Sequence, residues 1–491
     1  MSAERVGGAT RRLGFALCDL NGRTYTGVRR RTNALNRMPV PTRNPATGEV
    51  LQHYDRLADA EVDRALDRAA AAFASHRHTP FEERSAAMRR VAERLERNAR
   101  THGALMTREM GKPIGQAVAE AEKCAWVCRY YADHAERFLA DEPRETEATQ
   151  SVVAYEPLGP VLAIMPWNFP YWQVFRFAAP TLMAGGVGLL KHADNVLGCA
   201  NAIVDLFRDA GFEEGVFQHL PIDHDATGRV IADDRVRAVT LTGSERAGRA
   251  VAKQAGEALK PTLLELGGSD AFVVLADADL DRAVEVGVAA RTQNNGQSCI
   301  AAKRFILEAP IADEYTRRFV ECMKVLTVGD PTDPGTDVGP LAREDLREGV
   351  HDQVERAVAA GAEILCGGTV PDGPGFYYPP TVLGGVGEGS PAFEEEIFGP
   401  VASLTVAEDE ADAIRLANAT RFGLGGSVWT QDRERGERVA RQIRSGAVFV
   451  NEMTKSHPNL PFGGIGDSGY GRELARQGIR AFVNEKTIWV E

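Results

Sequence analysis

At 491 residues, the chain is too long to fold around one hydrophobic core, so two or three domains are expected. Its 44% hydrophobic and 26% charged residues are those of an ordinary soluble protein, and a net charge of −12 argues against a nucleic-acid-binding surface. Seven cysteines without regular spacing point to a reducing compartment, the cytoplasm, rather than to a disulfide framework. Every apolar run carries charges or stops short of the roughly 18 residues a membrane span requires.

The first 37 residues stand apart, with eight arginines against only Glu4 and Asp19. That balance resembles an organellar transit peptide; the alternative is a disordered tail, or a start assigned too early with Met38 as the true beginning. Residues 57–138 carry helical periodicity, with Val62, Leu66, Ala69 and Phe73 on one face and Met88, Val91 and Leu95 on another. Gly111-Lys112-Pro113 breaks the second helix, and Ile114–Leu139 reads as a third. Cys124 and Cys128 stand one helical turn apart. With no His or second Cys pair to join them, they read as buried helix residues rather than metal ligands.

From Val161 the pattern changes to short apolar strands separated by helices: Val161–Met165, Val187–Lys191, Val216–Leu220, Val236–Thr242 and Ala271–Leu275, with helices over Val196–Ala210 and Ala247–Ala258. Such alternation predicts a mostly parallel, doubly wound sheet whose ligands lie at the carboxyl ends of the strands. A second series follows, with strands at Lys303–Glu308, Val401–Val406, Gly426–Thr430 and Ala447–Asn451. The last strand, Lys486–Val490, has no hairpin partner nearby, which predicts pairing elsewhere, a subunit boundary being one place for it.

Several local motifs carry chemistry. Cys299 lies 34 residues after Glu265, and each is flanked by glycines in an apolar stretch. A soft nucleophile and a carboxylate base are what chemistry through a thioester needs. Asn168, in Pro166-Trp167-Asn168-Phe169-Pro170 after the first strand of the sheet, offers a side-chain amide to an oxyanion. In Thr242–Gly248 a strand turns into a helix, where Gly243, Ser244 and the helix amides suit a pyrophosphate, although no Gly-x-Gly-x-x-Gly is present. Arg176 falls eight residues after Asn168, and helical spacing brings residues 169, 173 and 176 towards one side. Taken alone it reads as a carboxylate binder or as half of an internal salt bridge.

In combination with Glu396-Ile397-Phe398-Gly399-Pro400, Pro461-Phe462-Gly463-Gly464 and Asn44–Gly48, these motifs resemble the aldehyde dehydrogenase superfamily over residues 38–491. The match of Asn44–Gly48 to that family's first strand and turn favours a disordered or non-native extension before Met38 over a transit peptide. The resemblance implies an α/β fold of two doubly wound domains with a small β oligomerisation arm. Its expected divisions are a non-native or disordered 1–37, an NAD(P)-binding domain over 38–265 interrupted by a hairpin near 140–156, a catalytic domain over 266–450, and a substrate loop, return segment and oligomerisation strand over 451–491. It further implies Cys299 as nucleophile, Asn168 and the Cys299 amide as oxyanion donors, and Glu265 as the base that hydrolyses the thioester. Branches that pass the acyl group to coenzyme A usually lack that carboxylate.

For the cofactor the resemblance implies Lys191, Asp194, Gly243, Ser244, Gly248, Trp167, Glu396 and Phe398 as contacts. Asp194 stands where NAD-preferring members have Glu, so NAD is favoured over NADP, with His192, Arg229 or Arg246 as groups able to offset a phosphate. No metal is expected. For the substrate it implies Arg176 and His457; Gln293 replaces a second arginine found in some members, and Phe177 replaces a common lysine. The runs Arg176–Pro180 and Ala301–Phe305 look most like a bacterial branch acting on succinate semialdehyde. The expected activity is therefore oxidation of that aldehyde by a homodimer or homotetramer. The alternatives are other aliphatic or aromatic aldehydes, coenzyme A acylation, or a catalytically silent scaffold.

Overall fold

The computed structural model describes residues 39–491, so the Arg-rich extension lies outside the described residues. The chain enters through an antiparallel pair, β1 (Val40–Arg43) and β2 (Val50–Tyr54), closed at Gly48, whose φ of 76° suits a residue without Cβ. Four helices follow: α1 (Asp59–His76), α2 (Phe81–Arg97), α3 (Ala99–Met110) and α4 (Ile114–Phe138). The third ends on Gly111 in the left-handed conformation, φ 78°, at the Gly-Lys-Pro break. Cys124 and Cys128 are buried, and among the described residues no group of three or more His, Cys, Asp or Glu is placed to hold a metal. No helix among them is long and apolar enough to cross a membrane.

Beyond a short arm, β3 (Glu142–Pro143) and β4 (Gln150–Pro157), strands and helices alternate: β5 (Pro160–Met165), α5 (Trp172–Met183), β6 (Val187–His192), α6 (Leu197–Asp209), β7 (Phe217–His219), α7 (His224–Ala232), β8 (Ala238–Thr242), α8 (Glu245–Glu257) and β9 (Thr262–Glu265). These five strands form a parallel sheet in the order β9-β8-β5-β6-β7. Their near-continuous apolar runs are what burial on both faces requires. The carboxyl ends of four neighbouring strands thereby bring together Glu265, the Thr242–Ser244 turn, the Pro166–Pro170 loop and Lys191.

The chain then crosses to a seven-stranded sheet built from β10 (Asp270–Val274), β11 (Ala302–Glu308), β12 (Glu363–Cys366), β13 (Thr381–Gly384), β14 (Val401–Ala407), β15 (Gly426–Trp429) and β16 (Phe449–Val450). Its order is β12-β13-β14-β11-β10-β15-β16, parallel apart from the β12–β13 pair. Helix α9 (Leu280–Thr292) runs between β10 and β11, so Cys299 sits on the connection that enters β11. A short strand, β17 (Gly469–Tyr470), returns antiparallel onto β9.

The terminal strand finds its partner far away in the chain. β18 (Val483–Val490) pairs over its whole length with β4 of its own chain, Val483 opposite Pro157 and Val490 opposite Gln150. The partner was invisible in the sequence because more than 300 residues separate the two strands.

Candidate active site

The cysteine is presented by an unusual turn. After α9, Asn294, Asn295 and Gly296 take φ values of 55°, 59° and 73°, three consecutive left-handed residues. Asn tolerates that region through its short polar side chain, and Gly adopts it freely. Both asparagines then hold the turn: Asn295 Nδ2 donates to the carbonyls of Gly111 (2.8 Å) and Pro340 (2.9 Å), and Asn294 Nδ2 to those of Asn168 (2.7 Å) and Gln297 (2.9 Å). From below, Lys303 Nζ donates to the carbonyls of Ser298 (2.9 Å) and Cys299 (2.8 Å). The Cys299 thiol is half-buried, and desolvation pushes it up to about 12, while the charges of Arg176 and Lys303 pull it down.

Asn168 faces the same turn. Gln173 Nε2 donates to its Oδ1 (3.0 Å), which fixes the amide so that Nδ2 points at the cysteine loop, where one N–H meets the Gln297 carbonyl at 3.1 Å. The second N–H has no acceptor among the described residues and could serve an oxyanion. The loop is braced from behind by Glu120 of α4, whose carboxylate accepts from the amides of Tyr171 and Trp172, both at 2.9 Å, and pairs with buried Lys112.

Glu265 ends β9 fully buried, its Oε1 unpartnered. Burial first, then the negative charge of Glu473, raises its pKa well above the carboxylate range, while Arg176 and Arg472 act in the opposite direction. Gly463 stands close opposite it: a Cβ there would lie 2.7 Å from Glu265 Oε1 and 2.7 Å from the backbone carbonyl of Gly471. Arg176 departs from the free cation expected of a carboxylate binder. Its Nε lies 2.7 Å from Glu473 Oε2, both side chains are buried, and its guanidinium covers the Phe462 ring at 4.7 Å. The charge is neutralised inside the protein, and Nη2 remains as an unpartnered donor.

A cavity of about 250 Å3 joins Cys299, Asn168 and Gln173 to Trp167, Thr242, Gly243, Ser244, Glu396 and Phe398. A larger depression at the β7 edge contains none of these groups. Trp167 and Phe398 meet edge to face at 5.7 Å. Glu396 Oε1 accepts from the Gly268 amide at 3.1 Å and lies 3.2 Å from Lys303 Nζ, so one lysine ties the cysteine loop to Glu396. Ser244 caps α8 by accepting from the Ala247 amide at 3.3 Å, which leaves the Gly243–Ser244 edge facing the cavity. Gly248 belongs instead to packing: it is buried, and a Cβ there would stand 2.6 Å from Leu266, so it brings helix and strand together rather than lining the cavity.

Just past β6, Asp194 accepts from Arg56 Nη2 at 2.7 Å and lies 3.5 Å from Lys191 Nζ. One carboxylate between two cations is not the free acceptor for ribose hydroxyls on which the inclination towards NAD rested. The proposed phosphate partners also change. His192 is buried, with Nε2 2.9 Å from the Pro170 carbonyl, and Arg229 donates to Asp59 at 2.6 Å; Arg246 is exposed, and Arg56 takes the position beside Asp194.

Comparison with known proteins agrees with this geometry. Residues 32–488 match the model of the aldehyde dehydrogenase family. The chain belongs to that family. It is 54% identical over 457 residues to a succinate-semialdehyde dehydrogenase (NADP+) of Mycobacterium avium, covering 92% of this chain and 97% of the relative. It is 53% identical to the protein of the same name in Mycobacterium leprae, covering 92% and 100%. Among solved structures, succinic semialdehyde dehydrogenase from Streptococcus pyogenes in complex with NADP+ superposes with a TM-score of 0.90 at 40% identity, over 92% of this chain and 99% of that one.

Several groups that shape this aldehyde dehydrogenase escaped the sequence: Arg56, Gln173, Lys303 and Glu473. Gln173 lay on the helix face already marked by Arg176, so its spacing was a usable signal. Glu473 lies 297 positions from the arginine it neutralises and offered none. His457, expected at the substrate loop, packs edge-on against Trp126 at 4.6 Å. Its neighbour Ser456 is buried and accepts from Lys123 Nζ and Trp172 Nε1, both at 3.0 Å.

Proposed function

We propose that this aldehyde dehydrogenase oxidises succinate semialdehyde to succinate with NADP+ as hydride acceptor. The observation that carries the reading is the shared cavity of Cys299, Asn168 and Glu396 in a chain more than half identical to proteins named for that reaction. Cys299 Sγ, as thiolate, attacks the aldehyde carbon and forms the C–S bond of a thiohemiacetal. The free N–H of Asn168 and the Cys299 amide hold its oxygen; the loss of one such donor costs about 100- to 1,000-fold in rate. A nicotinamide bound between Trp167, Thr242 and Phe398 would supply the acceptor for the hydride that leaves this carbon. Glu265 then takes a proton from water as its oxygen attacks the thioester carbonyl, and the thiolate departs as free acid forms.

Support for NADP+ comes from charge. Arg56 and Lys191 against Asp194 leave one net positive charge at the adenosine end, which suits a 2′-phosphate better than two hydroxyls. Oligomerisation through the β18 arm, into a dimer or tetramer, completes the reading. Steady-state kcat/KM for succinate semialdehyde with each cofactor is the test. We expect NADP+ to exceed NAD+ at least tenfold and Arg56→Ala to reduce that ratio severalfold. Equal use of the two cofactors by the unaltered enzyme would overturn the NADP+ assignment, and no preference for succinate semialdehyde over butanal would overturn the substrate.

A further inference from the structure

We propose that Lys303, the second residue of β11, is a positioning residue of the oxyanion hole. It holds the peptide whose N–H, on Cys299, receives the aldehyde oxygen, and it fastens that peptide to Glu396 in the cofactor wall. This inference rests on the reaction proposed above and names the group that sets one of its oxyanion donors. It starts from the contacts of a single buried ammonium. Lys303 Nζ lies 2.9 Å from the Ser298 carbonyl, 2.8 Å from that of Cys299, 3.3 Å from that of Ala301 and 3.2 Å from Glu396 Oε1. All the N–H groups of the ammonium are therefore committed to the turn behind the nucleophile and to Glu396. The root of the side chain is rigid, since β11 pairs with β10 on one side and β14 on the other.

Peptide geometry gives these contacts a direction. In a trans peptide the C=O and the N–H point to opposite sides. Holding the Ser298 carbonyl therefore turns the Cys299 N–H away from the lysine, and that N–H meets no acceptor among the described residues. The Ala301 amide donates to the same carbonyl at 3.1 Å, so the peptide is held from two directions. A cation on the oxygen also polarises the peptide and makes its N–H a better donor. Other side chains grip different carbonyls of the loop: Arg291 donates to that of Gly296 at 2.6 Å, and Asn294 to that of Gln297 at 2.9 Å. Among the side chains of the described residues, Lys303 is the one that reaches the Ser298 carbonyl. Support of the thiolate is the other role open to it. Burial raises the Cys299 thiol, however, and of the charges that lower it Arg176 acts more strongly than Lys303. Burial likewise works against the charge of Lys303 itself; Glu396 supports that charge, Arg291 on α9 opposes it, and Asp270 at the head of β10 supports it. What sets this lysine apart is its hold on the backbone.

The test compares two reactions of the same sulfur, each with NADP+ bound and at one pH. Alkylation of Cys299 by iodoacetamide, followed by mass spectrometry, needs the thiolate and no oxyanion donor. Single-turnover NADPH formation from succinate semialdehyde needs both. The variants are Lys303→Met, of similar length without charge or donor, and Lys303→Gln, neutral but still polar in a buried site. A misaligned donor predicts that the ratio of NADPH formation to alkylation falls about 10- to 100-fold in each. The fall should sit in the rate at saturating aldehyde and not in KM. Retained NADP+ binding reports that a variant is folded, and K303Q carries the comparison if K303M does not fold. A ratio within about threefold of the unaltered enzyme's, because both reactions slow together or neither does, overturns the assignment of Lys303 to the oxyanion hole. An unaltered enzyme that oxidises another aldehyde but not the semialdehyde overturns the substrate reading alone, and the ratio is then read with that aldehyde. One that oxidises no aldehyde overturns both.

Discussion

In the proposed hydrolysis Glu265 must be a carboxylate to take a proton from water, yet its surroundings favour the acid. Burial removes the solvation of its charge, and Glu473 adds a negative neighbour. The folded pKa lies above the ordinary value, so the ionised fraction, and with it thioester hydrolysis, increases as pH rises towards the alkaline side. Glu473→Gln removes that neighbour at constant size and leaves the Arg176 charge unopposed, and both changes lower the pKa of Glu265. The rising limb of the hydrolysis rate should therefore move to lower pH, by about one pH unit. Single-turnover decay of preformed acyl-enzyme across pH 6 to about 9 reads this directly. An unmoved limb would mean that the Glu473 charge does not reach the base. The same substitution strands a buried guanidinium, so the thermal midpoint should fall as well.

Elements of regular structure were legible where periodicity was strong. The strands over Val161–Met165 and Val187–Lys191 appear as Pro160–Met165 and Val187–His192, because runs of Val, Leu and Ile that short and continuous suit only a strand buried on both faces. The nucleophile, oxyanion and base candidates were legible because each sits in a compact local motif. Pairings between distant segments were not: Arg56 with Asp194, Arg176 with Glu473 and β18 with β4 depend on topology, and local pattern carries no information about a partner hundreds of residues away. The Asn294–Gly296 turn lies between these cases, since Asn-Asn-Gly marks a left-handed turn but not what it presses against. A Cβ on Gly296 would collide with the backbone of Gly399, just past Phe398 in the cofactor wall. Gly296→Ala should therefore displace the cysteine and the nicotinamide contacts together, lowering kcat at least 100-fold. Iodoacetamide labelling of Cys299 and NADP+ affinity should both change; if only one does, the turn does not couple them.

For the whole molecule, the exposed surface of the arm calls for a covering. β18 is exposed along nearly its whole length, with Ile488 and Val490 on one face and Trp489 on the other, at 39%, 45% and 44% exposure. Strand alternation means that β18 presents apolar groups on both its faces, and its outer edge has no neighbour among the described residues. A three-stranded sheet whose terminal strand is exposed on both its faces and along its edge is a poor solution for an isolated chain. Pairing with a second copy would bury the apolar side chains and satisfy the edge at once, and a twofold arrangement lets the same patch serve both partners. Trp489→Lys with Ile488→Glu should shift sedimentation from the oligomer towards the 53.2 kDa monomer. The candidate-site cavity is lined by Cys299, Asn168 and Glu396 and by no residue of β18, so the dissociated enzyme should retain thiolate chemistry while losing thermal stability. An unchanged sedimentation coefficient would place the interface on another surface and leave the arm unexplained.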